Sequence, residues 1–314
     1  MIFPWTGCLK KIRAMSEQQE AKIAITQSNG RVSKSPVIAR GAKSPTRVLQ
    51  PAHTIRLRPD LGDSSWPGPS TGTEGLVSQH GITDRGLVRD HNEDAFSFFT
   101  IGNKSLYVVA DGMGGHDAGE VASMIAMETV CSVIREESSR ATDLQELVER
   151  AVQQANSEVQ REAAQRGSDM GTTISVALVS DNTAYIANVG DSRVYWIENG
   201  SINQITTDHS LVAKLAAAGK LTREEARTHP KANLLYRTIG SAEHIIVDTF
   251  RIPLKKGGTL LLCTDGLWGE VTDAAIHRVC SHERDAEAAG ARLTEMANAN
   301  GGKDNITVIV AKLG

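Results

Sequence analysis

The sequence predicts an α+β fold, layered on antiparallel sheets, and three observations predict it. Short β-rich runs come in groups; pairs of long helical patterns separate the groups, with no strict βαβ alternation; and several runs are joined by links as short as Ser180-Asp181-Asn182 and Glu198-Asn199-Gly200, which favour hairpins. The β-rich runs are 76–83, 95–100, 105–110, 172–179, 183–189, 193–198, 245–254, 259–263 and 305–312. The first helical pattern spans 118–137, with Val121, Ala122, Ile125, Ala126, Val130 and Val133 along one face. The second spans 143–165, where Leu144, Leu147, Val148, Ala151, Val152, Ala155 and Val159 keep helical spacing. A further pair, 272–280 and 285–299, precedes the last run.

These elements occupy only part of the 314 residues. Residues 1–75 hold seven of the nine prolines and show no sustained apolar period, so they are expected to be a disordered leader that buries too little apolar surface to offset its ordering entropy. The leader carries 11 Lys and Arg against 5 Asp and Glu, whereas 76–314 carries 23 against 32, a basic arm on an acidic body within a net charge of −3. An acidic body disfavours nucleic acid as substrate. No run approaches the roughly 18 apolar residues that a membrane span needs. Lys10 and Lys11 follow the short N-terminal apolar run, the reverse of a signal peptide. The four cysteines, Cys8, Cys131, Cys263 and Cys280, are widely spaced and read as thiols in a reducing compartment, so a cytoplasmic protein is expected.

Chemistry is signalled by where the aspartates fall. Asp111 ends the run Leu106–Ala110 and precedes Gly112-Met113-Gly114-Gly115. Asp265 ends Leu260–Thr264 and precedes Gly266; Asp191 follows Asn188-Val189-Gly190; Asp304 directly precedes the closing run. One strand-end aspartate is commonly a turn former, but four in one domain form a set of hard oxygen donors, suited to Mg²⁺ or Mn²⁺ in preference to zinc. Gly112-x-Gly114 is not a dinucleotide fingerprint, because its third glycine would fall at Asp117. His277 and His282 lack a cysteine pair and are read as ordinary histidines. Near the start of the body, Arg89 stands four and five residues before Glu93-Asp94. An arginine can grip a phosphate bidentately while nearby carboxylates order water on a cation.

Eight runs in order then carry a resemblance: Gly86-x-x-Arg89-x-x-Asn92-Glu93-Asp94, Asp111–His116, Gly171-Thr172-Thr173, Val189–Arg193, Asp208–Val212, His229-Pro230, Thr264–Trp268 and Asp304–Thr307. Together they resemble the metal-dependent serine/threonine protein phosphatases of the protein phosphatase 2C-like family, bacterial type, across about 76–313. The resemblance implies a four-layer αββα sandwich, two antiparallel sheets flanked by helix pairs, with two Mn²⁺ or Mg²⁺ ions at one end. It implies that Asp111 bridges the cations, Asp265 and Asp304 hold one, and the Gly112 carbonyl helps hold the other. Glu93 and Asp94 would act largely through metal-bound water, Arg89 would bind the substrate phosphate, and Asn305 would support the site around Asp304. Phosphoserine and phosphothreonine on proteins would be hydrolysed directly, by a water bridging the two ions, opposing a Ser/Thr kinase and with no phosphoenzyme. A monomer is expected.

Two departures stand out. Met113 occupies a position that holds a proposed acid histidine in eukaryotic relatives, leaving His116 as the nearest candidate. A third cation would use Asp191 plus an aspartate where this chain has Gly269, with Glu270 next to it. Residues of about 207–240 resemble the family's flap, beginning with short helices at Leu211–Ala218 and from Thr222.

Overall fold

The computed structural model describes residues 76–115 and 118–314. The expected leader, 1–75, and the proton-donor candidate His116 lie outside the described residues. Three strands come first, β1 (Leu76–Asp84), β2 (Asp94–Ile101) and β3 (Lys104–Met113), followed by helices α1 (Ala118–Glu137) and α2 (Leu144–Arg166). Then come β4 (Gly171–Thr172), β5 (Ile174–Ser180), β6 (Thr183–Val189), β7 (Arg193–Glu198) and β8 (Ser201–Gln204). The short helices α3 (Leu211–Ala217) and α4 (Arg223–Thr228) lead to β9 (Asp248–Pro253) and β10 (Thr259–Cys263). The one-turn helix α5 (Asp265–Trp268), the pair α6 (Asp273–His282) and α7 (Ala286–Ala299), and β11 (Ile306–Leu313) follow.

The strands form two sheets, ordered β1-β11-β10-β7-β8 and β2-β3-β5-β6-β9, with β4 added to β3. Every pairing is antiparallel. The period of two in each strand sorts side chains into layers. In β3, Tyr107 and Val109 face the space between the sheets, where they join Trp196, Leu260, Leu262 and Ile309. Its alternate residues Leu106, Val108 and Ala110 meet the buried stripes of α1 and α2, such as Ala126, Val130, Leu147 and Ala151. In β10, Leu261 and Cys263 instead meet Ile276, Ala289 and Leu293 of α6 and α7. The result is the expected αββα sandwich. Central strands covered on both faces have no polar side, which is why their sequences read as unbroken apolar runs.

Local chemistry sets the boundaries. The Asp143 side chain accepts from the amides of Gln145 and Glu146 at the start of α2, and Gly167 (φ 62°) ends it in the left-handed region. Asp181 and Asn182 (φ 49° and 56°), and Asn199 and Gly200 (φ 50° and 76°), make the two expected hairpin turns. The run 172–179 divides at Thr173, whose amide leaves the ladder to donate to the Asp111 carbonyl at 2.9 Å. Only Asp248–Pro253 of the run 245–254 becomes a strand. The edge strand β8 and the four-residue α5 were not anticipated; both are too short to show a period.

Candidate active site

Antiparallel pairing gathers the chemistry at one end of the sandwich. β3 ends and β2 begins there, with Asp94 opposite Asp111 in register. β10 ends there, with Cys263 opposite both Arg193 and Val308. Asp84, at the end of β1, stands opposite Ile306 at the start of β11. Asp191 and Asp265 sit two residues after the ends of β6 and β10, and Asp304 two residues before the start of β11.

Asp94 is buried at 5% exposure. Its Oδ2 accepts from Thr264 Oγ1 at 2.8 Å and Thr307 Oγ1 at 2.6 Å, while Oδ1 has no partner among the described residues. Burial pushes its pKa up to about 7 against the pull of those two hydroxyls. Asp265 also has a buried, unpartnered Oδ1, and its pKa is raised to about 6, by burial first and then by the charge of Asp304. The nearby Asp111 carboxyl works in the opposite direction and holds the rise down. Asp111 and Asp191 are pushed well above the carboxylate range by burial and, next, by Asp265. Like charges in a poorly solvated site favour protonation of some members.

The turn between β1 and β2 carries Arg89 and Glu93. Arg89 Nη2 donates to Asp304 Oδ2 at 2.7 Å. Burial works to lower the Arg89 pKa, but the charge and hydrogen bond of Asp304 hold it above the ordinary value. Glu93 is raised by burial, with Arg89 opposing. Asn305 pins this turn. Its Nδ2 donates to the carbonyls of Arg85 and His91, both at 2.9 Å, and its Oδ1 accepts from the Glu93 amide at 2.8 Å. The Gly112 amide donates to the Glu93 carbonyl at 3.1 Å, and a Cβ on Gly112 would collide with the carbonyl of Gly119, so glycine is required for this close approach.

Threonines that sequence reasoning gave no role hold the aspartates, by carboxylate or by backbone. Besides Thr264 and Thr307, Thr173 Oγ1 accepts from the Asp111 amide at 3.0 Å and Thr172 Oγ1 donates to the Asp111 carbonyl at 2.8 Å. They lie inside the runs Gly171–Thr173, Thr264–Trp268 and Asp304–Thr307, where a hydroxyl beside a strand-end aspartate was the available signal. Arg193, also without a role in the sequence reading, forks onto Asp208 (2.7–3.2 Å) and lies 3.6 Å from the ring centroid of Trp268. The Trp268 indole in turn donates to the Asp191 carbonyl at 3.0 Å. Glu270, the alternative third-cation ligand, is ion-paired to Lys303 at 3.1 Å.

The donor set fits hard divalent cations: several carboxylates, two orphaned buried oxygens and no thiolate. The sulfur groups fit nothing here, because Cys131, Cys263 and Cys280 are buried and burial raises each thiol, Cys280 to about 12. Among the described residues no three carboxylate, imidazole or thiol groups already converge in ligand geometry. Asp304 is drawn to Arg89.

A four-layer sandwich with crowded aspartates and an arginine at one end defines a metal-dependent phosphate-ester hydrolase. Residues 88–310 match the family described as protein phosphatase 2C, and the chain belongs to that family. It is 39% identical over 236 residues to the serine/threonine phosphatase stp of Listeria innocua, covering 73% of this chain and 93% of that one. Among solved structures, the serine/threonine phosphatase Stp1 from Staphylococcus aureus superposes with a TM-score of 0.72 at 36% identity, over 79% of this chain and 99% of that one. The catalytic domain of the serine/threonine phosphatase PstP in complex with two manganese ions superposes with a TM-score of 0.68 at 33% identity, over 76% and 98%.

Proposed function

We propose that residues 76–314 are a catalytic unit that hydrolyses phosphoserine and phosphothreonine on proteins in the cytoplasm, as a monomer, opposing a Ser/Thr kinase. The observation that carries this reading is the set of mutually repelling aspartates, two with an orphaned buried oxygen, beside the Arg89–Asp304 pair. When bound, two Mn²⁺ or Mg²⁺ ions would neutralise that repulsion, activate water and offset charge on the transferring phosphoryl group. Asp111, the Gly112 carbonyl, Asp265 and Asp304 would hold them directly, with Glu93 and Asp94 acting through water and Asp191 available to a third.

The protein's own groups do the rest. Arg89 has one of its five donors on Asp304 and offers the remainder of its fork to a phosphate. Asn305 keeps Arg89 and Glu93 in place by bracketing their turn. Thr264 and Thr307 orient Asp94, and Thr172 and Thr173 fix the end of β3. Residues 207–240 would act as the flap. Ser210 and Thr222 cap its two helices, and it is tied to the body where the His209 amide donates to the Gly190 carbonyl at 2.9 Å and Arg227 to that of Gly269 at 3.1 Å. Among the described residues no helix is long and apolar enough to cross a membrane.

The test is phosphate release from a phosphothreonine peptide with Mn²⁺, with Mg²⁺ and with EDTA. Release that requires metal and disappears with EDTA is expected. No release with either metal, from protein shown to be folded, would overturn the reading in favour of a non-catalytic phosphoprotein-binding module.

A further inference from the structure

The turn that carries Arg89 has a second feature that phosphate binding does not use. Leu87 and Val88, directly before Arg89, are 54% and 65% exposed, and they are the one adjacent pair among the strongly exposed large hydrophobic residues described. Isolated exposed apolar residues are ordinary, but two in succession beside a reactive centre are not explained by chance placement. Nor are they there to complete a core, since their turn is already fixed by its backbone. The amides of Leu87 and Val88 both donate to the Gly302 carbonyl, at 2.7 and 3.3 Å. Asn305 holds the carbonyls of Arg85 and His91 on either side. Gly86 (φ 77°) approaches the Asp304 carbonyl so closely that a Cβ would collide with it. The pair is therefore presented on a rigid turn, and covering it would order little further chain.

We propose that Leu87 and Val88 are specificity-determining residues that bind an apolar side chain within two positions of the phosphorylated serine or threonine. This inference rests on the phosphatase reading above. The spacing supports it: Val88 and Arg89 are neighbours in the chain, about 3.8 Å apart at Cα, and an extended substrate advances about 3.3 Å per residue. A phosphate held by Arg89 thus sets the flanking substrate residues within reach of the turn that exposes Val88 and Leu87. Arg89 reads the phosphate, common to every substrate, and the apolar pair reads its surroundings.

The experiment compares kcat/KM for two phosphothreonine peptides that differ only in leucine or serine at the positions flanking the phosphorylated residue, in the full chain with Mn²⁺. The wild type is expected to favour the leucine peptide roughly tenfold, the scale of burying part of an apolar side chain at both partners. Val88→Ser and Leu87→Ser are each expected to reduce that preference severalfold, mainly through KM, with turnover of p-nitrophenyl phosphate unchanged. That small substrate has no flanking residues, so its turnover reports on fold and chemistry alone. A wild type without preference, or a preference that survives in both variants with normal p-nitrophenyl phosphate turnover, overturns the proposal. Absence of turnover of both the phosphopeptides and p-nitrophenyl phosphate in the wild type with either metal would overturn the phosphatase reading itself, and this inference with it.

Discussion

Replacing Asp94 by asparagine should stabilise the metal-free protein at alkaline pH, although it removes a group placed in the active site. Asp94 is buried, its Oδ1 lacks a partner among the described residues and its pKa is raised to about 7 against 3.8 for a free aspartate. For an acid, a raised folded pKa means that the native state binds the extra proton. Stability is therefore greatest below pH 3.8 and falls as pH rises to about 7, after which the loss is constant. Three units at about 1.4 kcal/mol each give a cost of about 4 kcal/mol above pH 7. Asparagine removes the charge and places an amide where the orphaned oxygen stood, but it accepts less strongly from Thr264 and Thr307, offsetting about 2 kcal/mol. The net gain at pH 8 is about 2 kcal/mol, or roughly 4–8 °C in melting temperature for a domain of this size. At pH 5 the charge penalty is only about 2 kcal/mol, so the gain should vanish. Thermal melts of both proteins in EDTA at pH 5 and pH 8 decide the matter. A variant less stable than wild type at pH 8, or an equal difference at both pH values, would refute the reasoning. Added Mn²⁺ should raise the wild-type melting temperature more than that of the variant.

Other perturbations separate the site's parts. Asp111→Asn should abolish metal-dependent phosphate release while circular dichroism and a cooperative melt show an intact fold; retained turnover would remove Asp111 from the metal site. Asn305→Ala deletes three hydrogen bonds that hold residues 85–93, and should cost about 2–3 kcal/mol in denaturant melts and lower kcat/KM for phosphopeptides by at least tenfold. Thr307→Val removes one of the two hydroxyls on Asp94 and, in EDTA, should shift loss of stability with rising pH toward a higher pKa for that carboxyl, read from melts across pH 4–8. Deleting residues 1–75 is expected to leave the melting temperature of the remainder within about 2 °C; a large drop would mean that the leader packs on the body.

The fold was legible wherever pattern and length agreed. The stripes of α1 and α2, and the apolar runs of β3, β5 and β10, are long enough for periodicity or its absence to define them. The one-turn helix after Thr264 and the polar edge strand 201–204 are set by tertiary contacts: Gly266 is pressed against the Asn305 carbonyl, and β8 is completed by pairing with β7. At the candidate site, the strand-end aspartates could be picked out because a charged residue after a buried run is conspicuous. The threonines could not, since a hydroxyl at a strand end suits solvent, turn or carboxylate equally, and only pairing across the sheets brings Thr264 and Thr307 to Asp94. Asn305 was expected to support the site around Asp304. Its side chain holds the turn of Arg89, which pairs with Asp304, through contacts more than 200 residues distant in sequence that no local spacing encodes.

That separation has a temporal consequence. Thr307 and Asp94 lie 213 residues apart, and β1 finds its sheet partner only in β11. At 5–20 residues per second, about 10–40 s of synthesis pass between the appearance of Asp94 and that of the strand which seats it. Until then Arg89 has no Asp304, its turn has no Asn305, and Asp94 lacks Thr307. The site's contacts are therefore completed only with β11, so activity is expected to switch on with that strand rather than to grow as the domain emerges.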